Sequence, residues 1–121
     1  MSKHPIVHVE ISAADREASG KFYHDLFGWE VQQMPEMNYA TFATGDNEVG
    51  GGLNPVTPEN PPGTIMVYVN TDDIEDSLRK VESLGGKVLS RPMMIPGVGL
   101  FATFKDPTGN TLALLQPVMQ Q

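Results

Sequence analysis

The chain has 121 residues, enough for one domain that buries a core of its own, and it contains no cysteine, which excludes disulfides and thiolate metal sites. Eight basic residues against fifteen acidic ones give a formal net charge of −7 without a basic stripe, which argues against binding to nucleic-acid phosphates. The acidity favours solubility or a cationic ligand and does not choose between them. No segment resembles a secretory signal or an apolar membrane span, so we expect a cytoplasmic protein that does not bind membranes.

The chain begins with a predicted strand and helix. Alternation over residues 6–11 predicts a strand that carries His8 and Glu10 on one face. Asp15 is a good helix N-cap, and Gly28 is a good glycine for the end of that helix. The helix between them has an apolar stripe at helical spacing, formed by Ala18, Phe22, Tyr23, Leu26 and Phe27. The stripe predicts the side of the helix that packs on the strands.

Three more strands and a proline-rich segment complete the first half. The strands are predicted at 29–31, 39–44 and 49–53. Trp29 is expected in the core or at a dimer contact. The Gly50-Gly51-Gly52 run lacks the Gly-Lys-Ser/Thr of a phosphate-binding loop, so it predicts a close backbone approach or a bulge. Residues 54–63 contain four prolines, which predicts a semi-rigid, extended connector.

The second half repeats the first. A strand at 65–70 precedes a helix capped by Asp73, and the apolar stripe of that helix comprises Ile74, Leu78, Val81 and Leu84. A short strand at 87–89 follows, and then a hairpin over 100–116 that turns at Asp106-Pro107-Thr108-Gly109. Each half therefore reads strand, helix, strand, strand, strand. We predict an α+β fold of two βαβββ modules in a single domain, with modules at about 4–53 and 64–117 joined by the connector 54–63.

The repeat can be aligned by fixed offsets. At an offset of 58, His8 corresponds to Met66, and Glu10 corresponds to Tyr68. At an offset of 62, Thr41 corresponds to Thr103, and Gly51 corresponds to Ala113. The second half is four residues longer in one loop, which contains Met93 and Met94. This loop is a candidate lid for a cavity or a candidate dimer contact, and plain loop packing is an equal alternative.

These features together resemble a known family. A duplicated βαβββ unit, a first strand with His8 on its inward face, the segment from Asp15 to Trp29, and the final Asp106-Pro107-Thr108-Gly109-Asn110 hairpin resemble the vicinal-oxygen-chelate superfamily. That superfamily contains glyoxalase I, bleomycin-resistance proteins, extradiol dioxygenases and epimerases. The resemblance implies paired modules curled into a cup-shaped mixed sheet, a homodimer, and a small molecule in the sheet cavity.

The resemblance also implies where a divalent metal would bind. The four ligand positions of the family fall on His8, the neighbourhood of Gly51, Met66 and Ala113. Glycine and alanine side chains cannot ligate a metal, and a thioether is a poor ligand for hard or borderline cations. Because a catalytic metal normally takes three protein ligands, His8 alone is not enough. We therefore expect no metal and no other cofactor.

The candidate site residues lie on the faces that would line the cavity. His8 and Glu10 are candidates for an acid–base pair or for a polar anchor, and the alternative is a histidine without a role that is satisfied by hydrogen bonds. The predicted ligand-binding residues are His8, Glu10, Tyr39, Thr41, Tyr68, Asn70, Phe101 and Thr103. His24 is expected to be exposed, and His4 is assigned no role.

Three functions remain open at this level. The first is a protein without a bound metal that binds a small molecule for sequestration, sensing or an accessory task. The second is a lyase, an isomerase or a dioxygenase, similar to lactoylglutathione lyase, with an atypical metal site or with metal-free proton transfer by His8 and Glu10. The third is a resistance protein that sequesters a drug. The sequence leaves open whether the protein is an enzyme.

Overall fold

The computed structural model describes residues 4–118. Within this range the elements are β1 (Ile6–Ala13), α1 (Arg16–Phe27), β2 (Glu30–Met34), the 3₁₀ helix η1 (Pro35–Met37), β3 (Tyr39–Ala43), β4 (Gly50–Pro55), β5 (Ile65–Asn70), α2 (Ile74–Ser83), β6 (Lys87–Val88), β7 (Met93–Ile95), β8 (Gly99–Lys105) and β9 (Thr111–Pro117). The residues group into two compact units, the first made of His8–Met66 and the second of residues 67–118 with residues 4–7. No helix among the described residues is long and apolar enough to cross a bilayer. The elements confirm the predicted α+β class.

The first unit is a four-stranded arrangement covered on one side by α1. Its strands lie in the order β2-β3-β4-β1, with β1 and β4 parallel and the other neighbours antiparallel. The core between the strands and the helix is formed by Ala13, Ala40, Phe42 and Leu53, against which Ile11, Tyr23, Trp29 and Val31 pack. Strand alternation therefore places His8, Glu10, Tyr39 and Thr41 on the face away from this core.

Both ends of α1 are where the sequence predicts them. The Asp15 carboxylate accepts a hydrogen bond from the backbone N–H of Ala18 at 3.1 Å, which satisfies one of the unpaired donors of the first turn. At the other end Gly28 adopts φ 77° and donates its N–H to the carbonyl of His24 at 2.8 Å. Only glycine takes this left-handed conformation without a steric penalty, so the helix ends there.

The prediction that the apolar stripe of α1 packs on the strands is wrong for four of its five members, because all of them except Tyr23 are exposed. The exposed fractions of Phe22, Leu26 and Phe27 are 59%, 58% and 58%. The reason lies at Gly20, which is buried, and at which a Cβ atom would come within 2.9 Å of the side chain of Val31. The helix thus approaches β2 through its Gly20 side, and this turns Phe22 and Leu26 outward.

Trp29 joins the core, which is one of its two predicted positions. Its ring stacks on Phe42 with a centroid distance of 4.8 Å and on Tyr23 with a centroid distance of 5.4 Å. Aromatic pairs at such distances contribute beyond the apolar area that they bury. The aromatic stack therefore fixes α1 to the strands at its C-terminal end.

The second unit repeats this arrangement with one additional strand. Its order is β5-β9-β8-β6, with β5 and β9 parallel, and β7 also pairs with β8. Its core is formed by Ile74, Leu78, Ala102 and Leu114, with Val69, Val88, Leu100 and Phe104 packed against it. Asp73 caps α2 as predicted, by accepting from the N–H of Asp76 at 3.0 Å. Leu84, predicted in the apolar stripe, lies past the last helical residue and is 76% exposed.

The final hairpin confirms the strand–turn–strand prediction. β8 and β9 pair in register from Lys105–Thr111 to Gly99–Pro117. The Asp106 carboxylate accepts from the side-chain amide of Asn110 at 3.0 Å, and from the backbone N–H groups of Asn110 and Gly109 at 2.9 Å each. These hydrogen bonds, led by the Asn110 side chain, hold the pKa of Asp106 below its usual range.

Two predictions about connecting segments need correction. The proline-rich segment is not extended, because Thr57 and Asn60 exchange backbone hydrogen bonds of 3.2 and 2.9 Å around a tight turn. The Asn60 amide also donates to the Asn54 side chain at 2.9 Å, which holds the turn back against the end of β4. The predicted loop around Met93 and Met94 contains strand β7, which pairs with β8.

Candidate functional site

The face of the first unit opposite α1 carries a compact polar cluster, here called the Glu10 cluster, made of His8, Glu10 and Tyr39. His8 Nε2 and the Tyr39 hydroxyl each lie 2.5 Å from Glu10 Oε2, and the hydroxyl lies 3.3 Å from His8 Nε2. A carboxylate oxygen accepts hydrogen bonds, so Tyr39 donates through its O–H and His8 through its Nε2–H. The sequence predicted all three residues as site residues, and the structure brings them together.

Glycine at position 52 makes this contact possible. Strand β4 lies between β1 and β3, and Glu10, Gly52 and Thr41 are direct neighbours across the three strands. A Cβ atom at Gly52 would overlap the Tyr39 hydroxyl and the ring atoms next to it. The Tyr39 side chain therefore crosses β4 through the space that any other residue at position 52 would fill.

The neighbouring glycine has a different role. A Cβ atom at Gly51 would overlap the carbonyl oxygen of Val9 and would lie 2.6 Å from the Phe42 ring, so Gly51 permits close packing on the helix side. The glycine run is thus a close backbone approach, which is one of the two predicted alternatives. The specific role of Gly52 was not predicted, although its place in a glycine run near an aromatic strand residue was a usable signal.

Glu10 is the buried member of the cluster. Its exposed fraction is 8%, and the His8 side chain is 29% exposed. Burying a carboxylate is costly unless it is paired and hydrogen-bonded, and here two donors on two different strands satisfy the same oxygen. The cluster can hold a fixed acceptor toward a ligand, or it can pass a proton between the imidazole and the carboxylate.

Thr41 lies on the same face but outside the hydrogen bonds of the cluster. It lines an open depression of about 520 Å³ at the β2 edge together with Glu30 and Gln32. It also lies directly beside Gly52 in the sheet register. Its predicted place on the face opposite the helix is therefore correct, and its contact with a ligand stays a prediction.

The predicted residues of the second unit form two rows across its strands. Tyr68, Ala113 and Thr103 are direct neighbours on β5, β9 and β8, and Asn70, Leu115 and Phe101 are the neighbours one row along. The rows also correct the repeat alignment. The offset of 62 predicted that Ala113 corresponds to Gly51, but in the strand pairing Ala113 corresponds to Gly52.

Thr103 has a hydrogen-bond partner that could not be predicted from the sequence. The Ser90 hydroxyl oxygen accepts from the backbone N–H of Thr103 at 2.9 Å and lies 3.1 Å from the Thr103 hydroxyl. The backbone N–H of Leu89 in turn donates to the Thr103 carbonyl at 2.9 Å. These contacts extend the pairing of β8 beyond the two residues of β6, so Thr103 is fixed in place.

The remaining predicted positions have simple surroundings. The backbone N–H of Asn70 donates to the Pro5 carbonyl at 2.9 Å, and its carbonyl accepts from the His4 imidazole at 3.0 Å, so His4 fastens the start of the chain. His24 is exposed, as predicted, and its Nδ1 lies 2.8 Å from the carbonyl of Trp29. Met93 and Met94 have exposed fractions of 55% and 58%, and Met93 is directly opposite Phe101 in the sheet.

The order of the elements and the two parallel strand pairs now agree with the sequence-based resemblance. The sequence profile of the Glyoxalase/Bleomycin resistance protein/Dioxygenase superfamily matches residues 5–114. The chain belongs to this superfamily. A putative glyoxylase, CFP32, from Mycobacterium bovis is 39% identical over 103 residues, which is 83% of this chain and 39% of that protein. The chain therefore spans about two fifths of the length of this curated relative.

Two further comparisons support the superfamily and the fold. A glyoxylase-like domain-containing protein from Didymella fabae is 36% identical over 113 residues, which covers 88% of each chain. The crystal structure of methylmalonyl-CoA epimerase from Mycobacterium tuberculosis is 16% identical and superposes with a TM-score of 0.71, covering 94% of this chain and 88% of that one. At that identity the likeness concerns the fold alone, and members of one fold differ in reaction.

The residues at the metal positions of the superfamily do not fit a metal ion. At Gly52 the side-chain space is filled by the Tyr39 phenol, and at Ala113 there is no donor atom. His8 Nε2 faces the Glu10 carboxylate and donates its proton there. Among residues 4–118 no group of three or more His, Cys, Asp or Glu side chains is placed to hold a metal. The chemistry of the cluster is accordingly that of hydrogen bonding and proton transfer.

Proposed function

We propose that the chain binds a small organic molecule without a metal, on the face of the first unit opposite α1, with the Glu10 cluster as its polar anchor. The observation that carries the proposal is the position of Glu10. A carboxylate with an exposed fraction of 8% is held by two donors on the face that does not contribute to the helix–strand core.

The energetics favour a ligand site over a purely structural role. A buried carboxylate contributes little net stability even when it is well paired, because the cost of removing it from water offsets the hydrogen bonds. Ligand sites, by contrast, place a small number of fixed polar groups on an otherwise apolar surface. Glu10 is such a fixed polar group, because the Tyr39 hydroxyl reaches it across Gly52 and holds it in place.

The second unit supplies its own candidate contacts for the proposal. Tyr68, Ala113 and Thr103 form a row on one strand face, and the Ser90 hydroxyl fixes the position of Thr103. Tyr68 provides an aromatic ring with a polar end, beside the small side chain of Ala113. We propose that Tyr68, Asn70, Phe101 and Thr103 take part in ligand binding.

The test is a ligand screen on protein dialysed against a chelator. Metabolites and drugs that raise the unfolding temperature are retested by calorimetry on Glu10→Gln and Tyr39→Phe. Glu82→Gln is the matched control, because it makes the same chemical change at an exposed residue of α2. We expect hits that bind the wild type and the control equally and bind both cluster variants more weakly. Hits whose affinity is unchanged in both cluster variants, or that bind only when metal is added, would refute the proposal.

A second function is favoured by one specific contact. His8 Nε2 and Glu10 Oε2 lie 2.5 Å apart, which is the geometry of an imidazole–carboxylate couple for general acid–base catalysis. We propose as the alternative a metal-free lyase or isomerase in which the couple moves a proton on a carbonyl-containing substrate. The assay is the turnover of a 2-oxoaldehyde–thiol adduct in the presence of chelator. Activity lost in both His8→Ala and Glu10→Gln would favour the enzyme, and activity that survives in both would exclude the couple.

A further inference from the structure

We infer that the ligand of the Glu10 cluster carries a protonated amine that donates a hydrogen bond to Glu10 Oε1. The inference rests on the proposed binding function and specifies the chemistry of its ligand. It is carried by the asymmetry of the carboxylate, by the rigidity of its support and by the charges of the first unit.

The two oxygens of Glu10 differ in their partners. His8 Nε2 and the Tyr39 hydroxyl both approach Oε2, whereas no hydrogen bond from residues 4–118 reaches Oε1. Among residues 4–118, Gln33 Oε1 is the one fully buried side-chain oxygen or nitrogen that lacks a hydrogen-bond partner. Glu10 Oε1 also lacks one, so it is not fully buried. An ionised carboxylate can accept about four hydrogen bonds, so capacity remains on the accessible oxygen.

The carboxylate is held rigidly enough to recognise a donor. The Tyr39 hydroxyl reaches Oε2 from β3 across Gly52, and His8 reaches it from two residues earlier on β1. Two donors on one oxygen fix the plane of the carboxylate, so the direction in which Oε1 points is set before any ligand arrives. A ligand that meets a fixed acceptor loses less conformational freedom on binding, which favours affinity.

The charges of the first unit identify the donor as a cation. Lys21 is engaged with Asp25 at 2.5 Å, and Arg16 donates through Nε to the carbonyl of Tyr39 at 3.3 Å. Within the described range no Lys or Arg forms an ion pair with Glu10, whose partners are an imidazole and a phenol. A nearly buried carboxylate attracts a cation and repels an anion, and charge-assisted hydrogen bonds are about twice as strong as neutral ones. The formal net charge of −7 acts in the same direction at long range.

Three probes with the same ring and different polar groups test this inference. Benzylamine, benzyl alcohol and benzoate are titrated into ¹⁵N-labelled full-length protein, and the amide shifts of β1, β3 and β4 are followed by NMR. We expect benzylamine to shift the amides around Glu10 and Gly52, benzyl alcohol to bind more weakly, and benzoate to leave them unchanged. In Glu10→Gln the dissociation constant of benzylamine should rise about tenfold or more, and in the control Glu82→Gln it should not change.

Each outcome separates the inference from the proposed function. Binding of benzoate as tight as that of benzylamine, or benzylamine binding that Glu10→Gln leaves unchanged, overturns the cationic ligand and leaves a binding site in place. The cationic ligand is also overturned if benzylamine does not bind while neutral compounds from the screen still require Glu10. The comparison of the three probes on the wild type needs no variant, so it decides the question even where Glu10→Gln does not fold. A screen without any hit at the cluster overturns the proposed function itself.

Discussion

The substitution Gly52→Ala tests whether the Glu10 cluster depends on an empty side-chain position. A Cβ atom at position 52 would overlap the Tyr39 hydroxyl and its ring, so the phenol must rotate away and lose its hydrogen bond to Glu10. A hydrogen bond to a charged group contributes about 1.5–3 kcal/mol. The reduced freedom of alanine in the unfolded chain offsets about 0.4–1 kcal/mol of this loss. We therefore expect the free energy of unfolding to fall by about 1–2 kcal/mol.

The assay is urea and thermal unfolding followed by circular dichroism. For a chain of this size the expected loss corresponds to a melting temperature about 3–10 °C lower, by interpolation between smaller and larger domains. A double-mutant cycle with Tyr39→Ala isolates the cause. In the Tyr39→Ala background the space above Gly52 is empty, so Gly52→Ala should cost nothing or should stabilise slightly. An equal loss of stability in both backgrounds would refute the reasoning, as would a wild-type melting temperature in Gly52→Ala alone.

Four further substitutions test the packing, the final turn and the position of strand β8. Leu26→Ser should change the free energy of unfolding by less than about 0.5 kcal/mol because Leu26 is 58% exposed, whereas Leu53→Ala, at 0% exposure, should cost about 2–5 kcal/mol; equal effects in urea unfolding would contradict the observed orientation of α1. Asp106→Asn should be less stable than the wild type at neutral pH. The hydrogen bonds from Asn110 lower the pKa of the folded-state carboxyl, so their contribution is present above the unfolded-state pKa and is lost as the pH falls through the folded-state pKa. The difference in the free energy of unfolding between Asp106→Asn and the wild type should become smaller when unfolding is repeated at about pH 3. A difference that does not depend on pH would contradict this explanation. Ser90→Ala should cost about 0.5–1.5 kcal/mol, because it removes the acceptor for a backbone N–H of β8, and an unchanged stability would show that water replaces the hydroxyl.

Local signals in the sequence predicted the elements well. The capping residues Asp15 and Asp73 and the helix-ending Gly28 are where the structure has them, because a cap depends on a few neighbouring backbone groups. The strand faces were predictable for the same reason, since side chains alternate whatever the strand packs on. The resemblance to the superfamily was confirmed by the profile match, while the predicted homodimer, cytoplasmic location and single-domain organisation stay predictions.

The orientation of α1 was not predictable from its own sequence. Phe22 and Leu26 have the spacing of a buried stripe, but Gly20 allows the closest approach to β2, and the helix packs on that side. The proline-rich segment shows the same limit. Prolines fix the φ angle of single residues, but the hydrogen bonds between Thr57 and Asn60 decide that the segment turns.

The sequence by itself determined the order of the main strands and helices, the N-caps of both helices, the final turn, and the strand face on which His8, Glu10 and Tyr39 lie, because each of these depends on residues close together in the chain. Only the tertiary structure decided that Tyr39 reaches Glu10 over Gly52. That contact joins three strands whose register is set by pairing between distant segments, and a shift of one residue would turn these side chains to the opposite face.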